Sequence, residues 1–261
     1  GKLIFMRIFA ISNQKGGVGK TTTTVNLAAC LIARKKKVLL IDLDPQGNAT
    51  SGAGINKSEI KYSIYDVLIG RTSLKNSIIK SKESLFDVCP SNQDLAGAEV
   101  ELVDIERREY ILKKEIESLD NPYDFILMDC PPALSLLTVN ALVAANSVVI
   151  PMQCEYYALE GLSDLVNTIK KVKKSLNPNI KIEGLLRTLF DKRNTLAKQV
   201  SDQLSAHFGS KVYETIIPRN VRLAEAPSHG KSVISYDKSS KGAKAYLSLA
   251  DEILRGVDNE K

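Results

Sequence analysis

The chain has 261 residues, 44% of them hydrophobic and 25% charged, with a formal net charge of +6 at pH 7, and this size and composition predict one α/β domain with a large core. No apolar stretch reaches the ~18 residues that a membrane-spanning helix needs. The four cysteines, Cys30, Cys89, Cys130 and Cys154, form no C-x-x-C pair for zinc, so we expect reduced thiols in a cytoplasmic protein.

The first predicted strand (7–12) is followed by a glycine-rich segment, residues 14–22, and a predicted helix (20–34). Such a loop lets backbone N–H groups surround phosphate oxygens, while a lysine reaches the β/γ-phosphates and a threonine hydroxyl holds Mg²⁺. The helix dipole adds to this attraction. Gln14 replaces the usual first glycine, and the next residue adds a second cation. The sequence therefore predicts a nucleotide site formed by Lys15, Gly16, Gly17, Val18, Gly19, Lys20, Thr21 and Thr22.

Carboxylates stand at the ends of two further predicted strands, 38–44 and 124–129. Asp42 and Asp44 end the first of these strands, and Asp129 ends the second. Open α/β sheets bind ligands at the carboxyl ends of their strands. Asp129 is placed to hold Mg²⁺ through water together with Thr21, and Asp42 is a candidate for a structural role or for the outer shell of the metal. Each aspartate alone could equally be a helix cap or loop residue.

The remaining pattern alternates strands with helices and contains no internal repeat or linker. It predicts a doubly wound, mostly parallel sheet with helices on both faces. We expect one domain over residues 1–261, with 1–5 a flexible or non-native N-terminus and 256–261 a flexible tail. The further strands are predicted at 86–90, 147–152, 182–189 and 212–217, and the further helices at 105–119, 134–145, 159–175, 195–208 and 239–255, with a short helix candidate at 62–68.

Four segments together carry a family resemblance: residues 15–22 (Lys-Gly-Gly-Val-Gly-Lys-Thr-Thr), 42–48 (Asp-Leu-Asp-Pro-Gln-Gly-Asn), 129–132 (Asp-Cys-Pro-Pro) and 217–228. They resemble the ParA/Soj-type partition ATPases, a group of P-loop proteins with a deviant Walker A motif that also includes MinD. The resemblance extends from about Arg7 to Leu254. The phosphate loop alone indicates only the superfamily, whereas the Asp-Pro-Gln-Gly-Asn and Pro-Arg-Asn-Val-Arg segments point to the chromosomal ParA branch.

This resemblance implies an enzyme that hydrolyses ATP to ADP and phosphate with Mg²⁺, slowly until a partner stimulates it. Lys20 would supply charge to the phosphates, and Lys15 would reach across an ATP-bound homodimer to the other subunit's nucleotide. Asp44 would position the attacking water. Pro218 and Asn220 follow a predicted strand at the nucleotide-binding edge of the sheet, so we expect them to contact the adenine. The implied partners are a ParB-like centromere-binding protein and nonspecific double-stranded DNA, which would place the protein on the nucleoid rather than on a membrane.

The charge distribution supports a polyanionic partner. Residues 1–159 contain 18 basic and 18 acidic residues, whereas residues 160–261 contain 18 and 12, so the surplus lies in the C-terminal part. Such a surplus suits sequence-independent contacts with phosphates. By resemblance, Arg193 and Arg222 are the DNA contacts, although ion pairs with Asp191 or Glu225 are the alternative. The weaker DNA candidates are Arg219, Lys198 and Lys231.

Three other functions stay open at this point. A MinD-like ATPase, or another positioning ATPase for a different cargo, would keep the same site; the membrane-cycling form needs a basic amphipathic tail, and the C-terminal segment carries acids. A dimeric iron–sulfur ATPase or reductase would bridge two subunits through cysteines such as Cys89 and Cys130. A scaffold that binds nucleotide without hydrolysis is disfavoured by Lys15 and Asp44. The sequence does not distinguish a chromosome from a plasmid as the cargo.

Overall fold

The computed structural model describes residues 6–17, 19–82, 85–120 and 123–259. The proposed N-terminal extension, residues 1–5, and the loop residue Val18 lie outside these ranges. In the described part, eight strands form one sheet in the order β3-β4-β2-β5-β1-β6-β7-β8. They are β1 (Arg7–Ile11), β2 (Val38–Asp42), β3 (Ile79–Lys80), β4 (Asp87–Cys89), β5 (Phe125–Asp129), β6 (Ser147–Gln153), β7 (Lys181–Phe190) and β8 (Val212–Pro218).

Every pairing in this sheet is parallel except that of β3 with β4. The prediction of a doubly wound, mostly parallel sheet is therefore confirmed. The register places Ile11 and Asp42 opposite Asp129, so β1, β2 and β5 end at the same level. This alignment brings the glycine-rich loop and the two carboxylates to one edge of the sheet.

Helices cover both faces of the sheet, and alternate strand residues supply the two cores. Phe9 and Ile11 belong to one core and Ala10 to the other, because successive side chains of a strand point to opposite faces. The helices are α1 (Lys20–Ala33), α2 (Asn48–Gly52), α3 (Ile64–Leu68), α4 (Leu74–Ser77), α5 (Ala98–Glu101), α6 (Ile111–Glu117), α7 (Leu136–Ala144), α8 (Ala158–Ser175), α9 (Thr195–Phe208), α10 (Val221–Glu225), α11 (Val233–Tyr236) and α12 (Lys241–Asn259).

The structure corrects several predicted boundaries. The helix predicted over 105–119 begins as α6 only at Ile111, after a short 3-10 turn, because Arg107 has a left-handed backbone with φ of +59°. The strand predicted to run to residue 44 ends at Asp42, whose side chain accepts a hydrogen bond from the backbone N–H of Asp44. The last helix, α12, continues to Asn259 and so includes residues 256–259 of the predicted tail.

A helix that crosses a bilayer must be long and apolar. Among residues 6–17, 19–82, 85–120 and 123–259, no helix is both long and apolar enough to cross a membrane. The longest, α12, carries lysine, aspartate, glutamate and arginine side chains along its length.

Gly184 of β7 provides a test of the packing. A Cβ atom at this position would lie 2.3 Å from Cζ of the buried Tyr213 ring. We expect Gly184→Ala to lower the free energy of unfolding by about 1–3 kcal/mol, because the ring or the strand must move. Urea unfolding measures this. Gly161→Ala in α8 is the matched control, since nothing lies within 4 Å of its Cβ position. Equal stability of the Gly184 variant and the parent would contradict the expectation.

Candidate nucleotide and nucleic-acid site

The glycine-rich loop connects β1 to α1 at the carboxyl edge of the sheet. Gly17 has φ of +73° and Gly19 φ of +82°, a left-handed conformation that glycine adopts without steric cost. A Cβ on Gly16 or Gly17 would meet no heavy atom within 4 Å, so the loop has open space around it. Lys15, Gly16 and Gly17 are exposed. The backbone therefore has the shape and accessibility that an anion cradle requires.

Lys20 begins α1 and folds back onto the loop. Its Nζ donates a hydrogen bond to the carbonyl oxygen of Lys15 at 3.2 Å, and the residue is only 7% exposed. Burial lowers the pKa of Lys20, and the nearby Asp129 and Asp44 carboxylates partly offset this effect. The ammonium group thus lies at the base of the loop, where it could pair with the negative charge of a bound phosphate.

Thr21 and Asp129 are in direct contact. The Thr21 hydroxyl donates to Oδ2 of Asp129 at 2.9 Å, and Thr24 donates to Oδ1 at 3.3 Å. Asp129 is fully buried, and burial followed by the charge of Asp42 raises its pKa. A hydroxyl and a carboxylate suit Mg²⁺, which keeps several waters and takes few protein ligands. The described residues contain no group of three or more His, Cys, Asp or Glu able to hold a metal.

Asp42 and Asp44 differ in their surroundings although only one residue separates them. Both oxygens of the buried Asp42 accept protein hydrogen bonds, Oδ1 from Asp44 N–H and Oδ2 from the N–H and hydroxyl of Thr50. Burial raises the pKa of Asp42. Asp44 is half-buried, and its Oδ1 accepts from the Gln46 N–H at 3.0 Å. Asp42 therefore organises the loop, while Asp44 stays accessible to a ligand.

Lys15, the additional cation of the loop, contacts Oε2 of Glu155, just beyond β6. Its backbone N–H donates to Asn13 at 3.0 Å, which fixes the position of the residue, while about half of the side chain is exposed. The sequence analysis did not identify Glu155. Its position directly after a buried strand, at the same edge as Asp129, was the signal that could have found it.

The predicted adenine contacts lie at the end of β8. Pro218 is the last residue of this strand, and the Asn220 side chain caps α10 by accepting from the N–H of Leu223 at 3.3 Å. Their contact with adenine stays a prediction.

The two main DNA candidates follow β7 and β8, which are neighbours in the sheet. Arg193 is 87% exposed and pairs through Nε and Nη2 with the two carboxylate oxygens of Asp191, both at 3.1 Å. Arg222 pairs with Glu225 at 2.9 Å and with Asp237 at 3.2 Å. The alternative ion pairs considered for these arginines are therefore present. Contact of Arg193, Arg222, Arg219, Lys198 or Lys231 with DNA stays a prediction.

The cysteines occupy interior positions rather than a site. Cys30, Cys89, Cys130 and Cys154 are all buried and free. Cys89 and Cys130 are 0% exposed, and burial raises the pKa of both thiols. Neither can reach a second subunit without rearrangement of the core, which argues against a cluster bridged through these residues.

A glycine-rich loop between β1 and α1, a threonine–aspartate contact beneath it and a doubly wound parallel sheet define the P-loop nucleotide hydrolases. A family model described as an AAA domain matches residues 6–182. The chain is 55% identical over 247 residues to the sporulation initiation inhibitor protein Soj of Bacillus subtilis, covering 95% of this chain and 98% of Soj. It is 49% identical over 251 residues to the chromosome partitioning protein ParA of Caulobacter vibrioides, covering 95% and 94%. The chain belongs to the ParA/Soj family of P-loop ATPases.

Solved structures share this fold. Cobyrinic acid a,c-diamide synthase from Mycobacterium smegmatis, with an ATP analogue and magnesium bound, superposes with a TM-score of 0.85 at 36% identity over 98% of both chains. A putative plasmid partition protein from Borrelia burgdorferi bound to AMPPNP superposes with a TM-score of 0.81 at 29% identity, over 97% of this chain and 100% of that chain.

Proposed function

We propose that this chain is an ATP hydrolase that dimerises with ATP, binds double-stranded DNA nonspecifically as that dimer, and leaves DNA after hydrolysis stimulated by a ParB-like protein. Its role would be the segregation of chromosome or plasmid DNA on the nucleoid. The observation that carries the proposal is the contact between Thr21 and Asp129 beneath a loop that also exposes Lys15. The names of the relatives, Soj and ParA, support the same role.

The nucleotide would occupy the loop, with Lys20 beside its phosphates and Thr21 and Asp129 beside Mg²⁺. When bound, Mg²⁺ would neutralise charge on the phosphates. The chain itself contributes the left-handed glycines, which leave the backbone N–H groups accessible, and the buried Lys20 ammonium group. Asp44 would orient the attacking water and accept its proton, since the residue is only half-buried and its carboxylate is oriented by the Gln46 N–H.

Lys15 would act in trans. It is exposed and is held by a single carboxylate, so a second subunit can reach it. An exposed ion pair of this kind contributes about 0–1 kcal/mol, and the charged phosphates of a nucleotide can displace it. Hydrolysis would then require the dimer, which gives a slow basal rate in the single chain.

DNA binding would use the surface beyond β7 and β8. The Arg193 and Arg222 side chains are 87% and 50% exposed, and their carboxylate partners lie at the surface, so DNA phosphates can compete for them. A closed dimer presents each arginine twice. ATP is therefore expected to tighten DNA binding by doubling the number of phosphate contacts.

Fluorescence anisotropy of a labelled random duplex measures DNA binding and tests the proposal. ATP is present to form the dimer, and the Asp44→Ala substitution blocks hydrolysis. Arg222→Glu is expected to weaken binding to all sequences and to flatten the slope of log K against log salt by roughly 2, if each subunit makes one contact through Arg222. Arg255→Glu near the end of α12 is the matched control for net charge. Unchanged affinity and slope in the Arg222 variant would move the DNA surface elsewhere, and no binding by the parent would favour a different cargo.

A further inference from the structure

A chain of polar contacts connects the phosphate loop to the segment that precedes α10. Lys15 contacts Oε2 of Glu155. The Gln153 amide, in the orientation that gives both of its atoms complementary partners, donates to Oε1 of Glu155 at 3.1 Å and accepts from Nη2 of Arg219 at 2.7 Å. One carboxylate is thus linked directly to Lys15 and, through an amide, to Arg219.

The space around these groups permits rearrangement. Gln153, Glu155 and Arg219 line a cavity of about 170 Å³ together with Asp191. Both carboxylate oxygens of Asp191 already pair with Arg193. Glu155, whose charged contact is a single lysine, is the carboxylate in this cavity that loses its partner if Lys15 leaves, and Arg219 itself is exposed.

We propose that Glu155 is a positioning residue that exchanges Lys15 for Arg219 when a second copy of this chain withdraws Lys15. The inference rests on the proposed function, in which Lys15 moves to the nucleotide of the other subunit. In the single chain, Glu155 holds Lys15 on its own loop. In the ATP dimer, the carboxylate left without Lys15 pairs directly with Arg219, because a half-buried carboxylate beside a guanidinium group favours that contact.

The exchange connects dimer formation to the DNA-facing segment. Arg219 immediately precedes Asn220, whose side chain caps α10, and α10 carries Arg222. In the single chain, the Gln153 amide already links Arg219 to the end of β6. Direct pairing of Arg219 with Glu155 would strengthen this link in the dimer. The same carboxylate would thus restrain Lys15 in one state and fix the start of α10 in the other.

The test is a double-mutant cycle on dimerisation, measured without DNA by analytical ultracentrifugation with ATP in the Asp44→Ala background. Arg219→Gln is expected to raise the dimer Kd between about 2-fold and 25-fold, because the dimer contains two pairs and an exposed pair contributes about 1.4-fold to 5-fold. In the Glu155→Gln background, the same substitution is expected to leave Kd unchanged. Arg219→Lys, which keeps the charge, is expected to retain most of the dimer stability.

Arg255→Gln is the matched control for loss of one exposed positive charge, and melting temperatures verify that each variant is folded. Equal weakening by Arg219→Gln in both backgrounds, or no weakening in either, would overturn the exchange while leaving the proposed function intact. Failure of the Asp44→Ala parent itself to dimerise with ATP would overturn the proposed function, and with it the exchange.

Discussion

Asp44→Ala is expected to bind ATP and accumulate as a dimer while hydrolysing ATP about 100-fold to 10,000-fold more slowly, the range that a positioned general base contributes. The loop should keep its shape, because Ser91 donates to the Asp44 carbonyl oxygen at 2.6 Å and Asp42 accepts from the Asp44 N–H. Neither contact uses the Asp44 carboxylate. Phosphate release with DNA and the ParB-like partner measures the rate, and light scattering measures the dimer.

Lys20→Ala is the comparison for that experiment, because it is expected to lose nucleotide binding, whereas Asp44→Ala is expected to lose only hydrolysis. The Lys20 ammonium group is buried at the base of the loop, and removing it would leave the phosphates without their principal protein charge. We expect nucleotide affinity to fall at least about 30-fold, because losing one partner of a buried charge pair costs about 2 kcal/mol or more. Hydrolysis by Asp44→Ala at the parent rate would show that another group positions the water.

Lys15→Gln is expected to bind nucleotide as a single chain but to form no ATP dimer, and to hydrolyse ATP about 1,000-fold or more slowly with partner and DNA. A cation supplied in trans contributes about 10³ to 10⁵ to the rate in related phosphoryl transfers. The Lys15 side chain points to Glu155, whereas Lys20 lies beneath the loop. Each lysine can therefore be substituted without removing the contacts of the other side chain. Light scattering with ATP measures dimer formation, and an equilibrium binding assay measures nucleotide affinity.

Lys211→Gln, at an exposed position just before β8, is the matched control for the loss of one lysine. It is expected to dimerise and hydrolyse ATP like the parent. Undiminished dimer formation together with normal turnover in Lys15→Gln would exclude a cross-subunit role and would leave Lys15 as a local contact of Glu155.

Sequence reasoning identified the long elements because their signals are local. Residues 38–41 and 125–128 are apolar, each run is followed by an aspartate, and both strands are buried at every position. The short helices α2, α4 and α5 were not predicted, since four or five residues carry too little periodicity. The late start of α6 depends on the backbone of Arg107, a residue type that does not by itself indicate a left-handed conformation.

The phosphate loop could be predicted from the sequence, as could the aspartates at two strand ends and the family. Each depends on neighbouring residues whose spacing has a direct chemical meaning. The contacts between distant side chains could be read only from the folded chain. Thr21 contacts Asp129 because β1 and β5 are neighbours in register, and Lys15 contacts Glu155 because β1 also pairs with β6. Strand order follows from the packing of the whole sheet, so residues more than 100 positions apart could be paired only once that order was known.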